Sequence, residues 1–210
     1  MTSPAATSRR EGTFLLADIS GYTAFLHGVA EAHRAIVIEA DEPPPAYALL
    51  SSLLDAMVET VAPRFRLVKL EGDALFAVAD DLVDLRGPAV LECLRACHAE
   101  FTRMLAGAQD EWTCTCDACS RIEDLGLKFV LHHGEYVLQR IVGREELAGP
   151  DVIVVHRLLK NHARDLVGDR PYALFSAAAV AALDIPTAGM IAGIESYGDI
   201  PPVPVHVLPL

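Results

Sequence analysis

The chain has 210 residues, 52% of them hydrophobic and 22% charged, with a formal net charge of -12. This composition suits one globular domain with a core large enough to fold without staples, and it excludes a disordered chain. The acidic balance argues against nucleic acid as the main partner, since backbone binding needs clustered Lys and Arg, and no apolar run approaches the roughly 20 residues that span a bilayer.

Residues 1–12 are small and polar, carry Arg9 and Arg10, and lack the apolar stretch of a signal peptide, so a disordered tail and a cytoplasmic protein are expected. Thr13 to Ala17 is apolar and β-prone and stops at Asp18, which predicts a buried strand. From Gly21 to about Ile38 the spacing of Tyr22, Phe25, Leu26 and Val29 is helical. Asp41 to Pro45 breaks that helix as a loop, and Leu50, Leu53, Leu54, Met57 and Val58 carry a second helix over Tyr47–Val61. Phe65–Leu70 and Ala74–Ala79 flank Glu71-Gly72-Asp73 as a hairpin, and Gly87-Pro88 opens a helix to about Leu105. A polar loop with three cysteines spans 107–124.

Beyond it, Leu127–His132 and Tyr136–Val142 read as strands around His133-Gly134-Glu135, and Gly149-Pro150 starts a helix over Asp151–Ala163. An alanine-rich helix, Ser176–Leu183, precedes short strands at Met190–Glu195 and Val203–Leu208. There is no internal repeat, so 13–210 reads as a single domain. The element order predicts an α+β fold, an antiparallel-rich sheet with helices on one face.

Two carboxylates stand out. Asp18 ends the first strand and Asp73 sits in the hairpin turn. Brought together they would offer oxygen donors for Mg²⁺ or Mn²⁺. Taken singly, Asp18 would cap the following helix and Asp73 would shape the turn. Cys114, Cys116 and Cys119 form a second candidate metal group, three of the four ligands a zinc ion takes. Cys93, Cys97, His98 and His132 are the candidates for the fourth, and a redox role for Cys116 with Cys119 is the less favoured alternative.

Three segments taken in order resemble the class III nucleotidyl cyclases. Phe14 to Thr23 is similar to their first metal motif, Lys69-Leu70-Glu71-Gly72-Asp73 to their second, and Val130 to Glu135 to the strand that follows, with Val130 where the family has glycine. The cluster Cys114-Thr115-Cys116-Asp117-Ala118-Cys119, with Leu127-Lys128-Phe129 and His156 to Asn161, resembles an uncharacterised bacterial cyclase-like branch. The resemblance implies a ferredoxin-like βααββαβ core and a head-to-tail homodimer with nucleotide sites at its interface. It also implies Mg²⁺ or Mn²⁺ held by Asp18, Asp73 and the carbonyl of Ile19. A purine nucleoside triphosphate would be the ligand and a 3′,5′-cyclic nucleotide the product. Lys69 falls where adenylyl cyclases contact adenine, and Glu146 falls at the second base-reading position, one methylene longer than the usual Asp. Arg157 aligns with the catalytic, phosphate-contacting arginine. The asparagine that completes the transition-state pair is replaced by Ile153, which cannot hydrogen-bond. Weak or absent cyclase activity is therefore expected, since one lost donor typically lowers such a rate about 10²–10³-fold.

Overall fold

Strand β1, Ser8–Ser20, is buried on both sides: Phe14 and Leu16 point to one face, Leu15, Ala17 and Ile19 to the other. It therefore lies inside a sheet covered above and below. In the computed structural model, which describes residues 8–34, 44–80, 85–111, 114 and 116–210, the remaining strands are β2 (Arg66–Glu71), β3 (Ala74–Ala79), β4 (Gly126–Ile141), β5 (Arg144–Ala148), β6 (Tyr172–Ser176), β7 (Ile191–Tyr197) and β8 (Ile200–Pro209). The sheet runs β2-β3-β1-β4-β6-β8-β7, with β5 paired to β4. The β4–β6 pair is parallel and the other pairs are antiparallel. This is the expected α+β, antiparallel-rich architecture.

One face carries the helix layer: α1 (Tyr22–Ala32), α2 (Pro45–Val61), α3 (Gly87–Glu111), α4 (Asp117–Ser120) and α7 (Ala177–Leu183). In α2, Leu50, Leu53, Met57 and Val61 recur at helical spacing and are all buried. Each such side chain contributes about 1.5–3 kcal/mol of burial. To this layer the structure adds two elements on the opposite face, α5 (Pro150–Leu158) and α6 (Arg164–Val167), packed on Phe14, Phe76 and Leu174. Among the described residues no helix is long and apolar enough to cross a membrane.

Several boundaries differ from expectation. β1 starts at Ser8, not Thr13, because residues 8–12 pair with β4, so the expected tail gives up its last residues to the sheet. The end of the first predicted helix and most of the Asp41–Pro45 loop lie outside the described residues. The two strands expected around His133-Gly134-Glu135 are one continuous strand, and the turn falls later, at Val142-Gly143, where both residues have positive φ (50° and 79°). Gly134 is required for a different reason. A Cβ there would lie 2.3 Å from Cγ of Asp151. The helix expected over Asp151–Ala163 ends at Leu158 and restarts as α6, and β5 and β6 are strands the sequence reading did not separate.

Candidate functional site

The β-ladder itself joins the two carboxylates. Asp18 lies opposite Ala74 in the β1–β3 register, and the amide of Ile19 donates to the carbonyl of Asp73 at 3.3 Å. Gly21 then turns the chain into α1 with φ 85°, and a Cβ there would press on the carbonyl of Asp124 at 3.1 Å. Burial first, and then the negative charge of Asp18, push the Asp73 carboxyl above its usual range. A bound divalent cation would relieve both effects, so the donor set fits one. Lys128 faces Asp18 across the β1–β4 ladder and bridges to it at 2.8 Å, with both side chains largely buried. The sequence reading did not single out Lys128. Its signal was positional, the one Lys or Arg in the predicted strand Leu127–His132.

The candidate base-reading residues meet on another surface. The far half of β4 carries β5 back toward the edge strand β2, so that Lys69 Nζ lies 3.7 Å from Glu146 and 3.0 Å from Glu71. Its bond to Glu71 holds the Lys69 ammonium above its usual range. Burial acts to raise the Glu71 carboxyl, but Lys69 and the His156 ring, at 3.2 Å, outweigh it and hold that carboxyl low. A groove of about 510 Å³ runs between β2 and β5, lined by Arg66, Lys69, Glu145 and Glu146. That volume is within the range of small-molecule sites. A second groove, about 560 Å³, borders Gly21 and Lys128 and is lined by Arg121, Arg164 and Arg170.

On α5, Arg157 is ion-paired to Asp199 in the β7–β8 turn. Ile153 is 53% exposed and offers no donor. Asn161 cannot stand in for the missing asparagine. Its amide donates to the carbonyl of Leu158 at 2.7 Å, and its carbonyl accepts from Tyr172 Oη and from the amide of Ala163, both at 2.9 Å. It serves the joint between α5 and α6.

The cysteine triple lies at the other end of α1. Cys114, Cys116 and Cys119 gather around His33, the residue that caps that helix, with all four ligand atoms within 4.8 Å of one another. The fourth member is thus none of the expected candidates. Cys93 and Cys97 are core residues of α3; burial pushes the Cys97 thiol up to about 12. His98 lines the apolar groove beside Phe101. His132 is engaged elsewhere, with Nε2 at 3.1 Å from Asp151 and Nδ1 at 2.8 Å from Ser176. His33 is 81 residues from Cys114 in sequence, and no local pattern marks it.

Residues 50–165 match the family model described as "Protein of unknown function (DUF2652)". The chain belongs to this family. It is 38% identical over 115 residues to the uncharacterized protein Rv2561/Rv2562 of Mycobacterium tuberculosis, a match covering 54% of this chain and 50% of that protein. The matched region thus spans half the length of that curated relative. Among solved structures, the adenylyl cyclase CyaB of P. aeruginosa superposes with a TM-score of 0.66 at 14% identity, over 97% of this chain and 96% of that one. A class III adenylyl cyclase-like ATP-binding protein from Pseudomonas aeruginosa superposes with a TM-score of 0.60 at 19% identity, over 86% of this chain and 36% of that one. The fold is that of the class III nucleotidyl cyclases.

The His-His-Gly segment of this family member is structural. Asp151, at the start of α5, fills the space Gly134 leaves, and it accepts from the amide of Glu135 at 2.8 Å and from His132. Burial lowers the His132 pKa despite the neighbouring Asp151, so the ring is neutral and links β4, α5 and Ser176. His133 is buried against Thr13 and Glu11, at 3.0 Å from each.

Proposed function

We propose that this chain is a cyclase-homology domain that binds a purine nucleoside triphosphate with Mg²⁺ or Mn²⁺ and cyclises it slowly at most. The observation that carries the reading is the adjacency of Asp18, near the end of β1, and Asp73, in the turn before the neighbouring strand β3, two carboxylates in tension. Asp18, Asp73 and the Ile19 carbonyl would hold the metal, which when bound supplies triphosphate binding and acidification of the 3′-hydroxyl. Lys69 and Glu146 would read the base, a donor and an acceptor suited to adenine. Arg157 would leave Asp199 to meet phosphate. Arg121, Arg164 and Arg170 offer further positive charge to a polyanion in a chain of net charge -12. In the head-to-tail homodimer proposed here, the carboxylate pair of one protomer faces the Lys69 surface of its partner, in the cytoplasm where nucleoside triphosphates are abundant.

Slow turnover follows from Ile153, an exposed aliphatic side chain at the transition-state position. It also favours a second reading, a nucleotide-responsive regulatory module that has kept the fold and lost the reaction. The structural neighbour from Pseudomonas aeruginosa, a class III adenylyl cyclase-like ATP-binding protein, supports nucleotide binding on this fold. A mass-spectrometric assay for cyclic AMP and cyclic GMP with Mn²⁺ and ATP or GTP, beside an Asp73→Ala control, tests the reading. Trace product that vanishes in the control fits slow cyclisation, and none in either sample fits the module. Rapid product formation by the wild type would overturn both.

A further inference from the structure

His33, Cys114, Cys116 and Cys119 come from three parts of the chain: the end of α1, the segment after α3, and the start of α4. From His33 Nε2 the sulfurs lie at 3.2 Å (Cys114), 3.9 Å (Cys116) and 3.9 Å (Cys119). Zinc bonds of about 2.0–2.3 Å in a tetrahedron set donor atoms roughly 3.4–3.8 Å apart. The three nitrogen-to-sulfur distances are therefore about those of a zinc coordination shell, and all four atoms lie within 4.8 Å of one another. Hydrogen bonding alone gives no reason for this convergence. An imidazole nitrogen has a single lone pair or a single hydrogen, and three sulfurs surround it.

The surroundings orient the donors as well. Nδ1 of His33 lies 2.9 Å from the carbonyl of Val29, so that nitrogen carries the proton and Nε2 presents its lone pair to the sulfurs. The amide of Cys119 donates to the sulfur of Cys116 at 3.4 Å, which holds that sulfur on the side facing His33. Cys119 is buried and the other two cysteines are partly buried.

We propose that these four side chains bind one Zn²⁺ as a closed Cys3His site. Three soft thiolates and an imidazole select zinc over Mg²⁺ or Ca²⁺, and four protein ligands leave no open position, so the ion is structural. It fastens the C-terminal end of α1 to α4. The two helices already touch, since a Cβ on Gly28 would lie 3.4 Å from Cβ of Ala118. This site shares no residue with the carboxylate pair and stands apart from the proposed nucleotide binding.

The test is zinc content by mass spectrometry on full-length, tag-free protein purified without added metal or chelator, followed by exchange with Co²⁺. About one zinc per chain is expected, with the intense sulfur-to-cobalt charge-transfer and tetrahedral visible bands after exchange. His33→Ala and Cys116→Ser should lose most of the metal, and His33→Cys should keep it with stronger charge-transfer absorption. If the alanine and serine variants fail to fold, the wild-type cobalt spectrum and His33→Cys decide. Folded, reduced wild type that holds almost no zinc and develops no such bands with Co²⁺ would overturn the proposal. So would folded His33→Ala and Cys116→Ser variants that retain full zinc.

Discussion

The two candidate metal clusters stand at opposite ends of α1, an 11-residue helix and so roughly 16 Å long. At its start, Asp18 and Asp73 supply oxygen donors, and Lys128 bridges to Asp18. At its end, three cysteine sulfurs and an imidazole converge. The first set is open. Two carboxylates and a carbonyl leave most of a magnesium shell to water and ligand, as suits an ion that arrives with a nucleotide. The second is closed and needs nothing from outside. The same helix thus has one end suited to exchange and one suited to permanence, and each end should respond differently to perturbation.

The largest effect is expected at the closed end. Removing zinc with a strong chelator, or making Cys116→Ser, should destabilise the fold by about 3 kcal/mol or more, because the binding free energy of a structural zinc is folding free energy. Thermal melts with and without chelator check this. Asp73→Ala should leave the melt near the wild type, and a comparable collapse there would erase the contrast.

Next, Ile153→Asn should restore a hydrogen-bond donor on the exposed face of α5 and raise cyclic nucleotide formation by about 10-fold or more, up to the 10²–10³ typical of such a donor. Mass spectrometry of product reads it. An unchanged rate would place the loss of activity elsewhere.

Asp73→Asn should separate stability from binding. The folded-state pKa of Asp73 is raised above 3.8, so the folded protein holds that proton more tightly than the unfolded chain. Stability contributed by the neutral form is therefore lost as pH rises from about 3.8 through the folded pKa. The Asn variant should melt higher than wild type at neutral pH in the absence of divalent metal, yet lose Mn²⁺-dependent nucleotide binding.

The smallest effect lies outside both clusters. The exposed His162 ring donates a hydrogen bond to the buried Glu195 carboxylate, which raises its pKa above 6.5. That stabilisation is present below the unfolded value and is lost as pH rises through the folded one. Denaturant midpoints between about pH 6 and 8 should drift downward in wild type and flatten in Glu195→Gln.

The parts of this molecule legible in its sequence are those whose cause is local. Strand β1, helix α2 and the Gly-Asp hairpin follow from periodicity and turn chemistry within a dozen residues. The Asp18–Asp73 pair followed because each carboxylate ends such an element. What escaped has distant causes. Gly134 looks like a turn, but it makes room for Asp151, so β4 runs straight through it. His33 is an ordinary helix-end histidine until the fold brings it to cysteines more than 80 residues away. Lys128 gains meaning only from the register that sets it opposite Asp18.

The open end of α1 carries the functional account, and a calorimetric titration of ATP into the full-length protein tests it most directly. It would be run with Mn²⁺ and with chelator-free, metal-free buffer, on wild type and on Asp73→Ala. Saturable binding by wild type only when Mn²⁺ is present, and none by the variant, is the predicted result. Equal binding by the two proteins, or none by folded wild type with Mn²⁺, would contradict a nucleotide site built on Asp18 and Asp73.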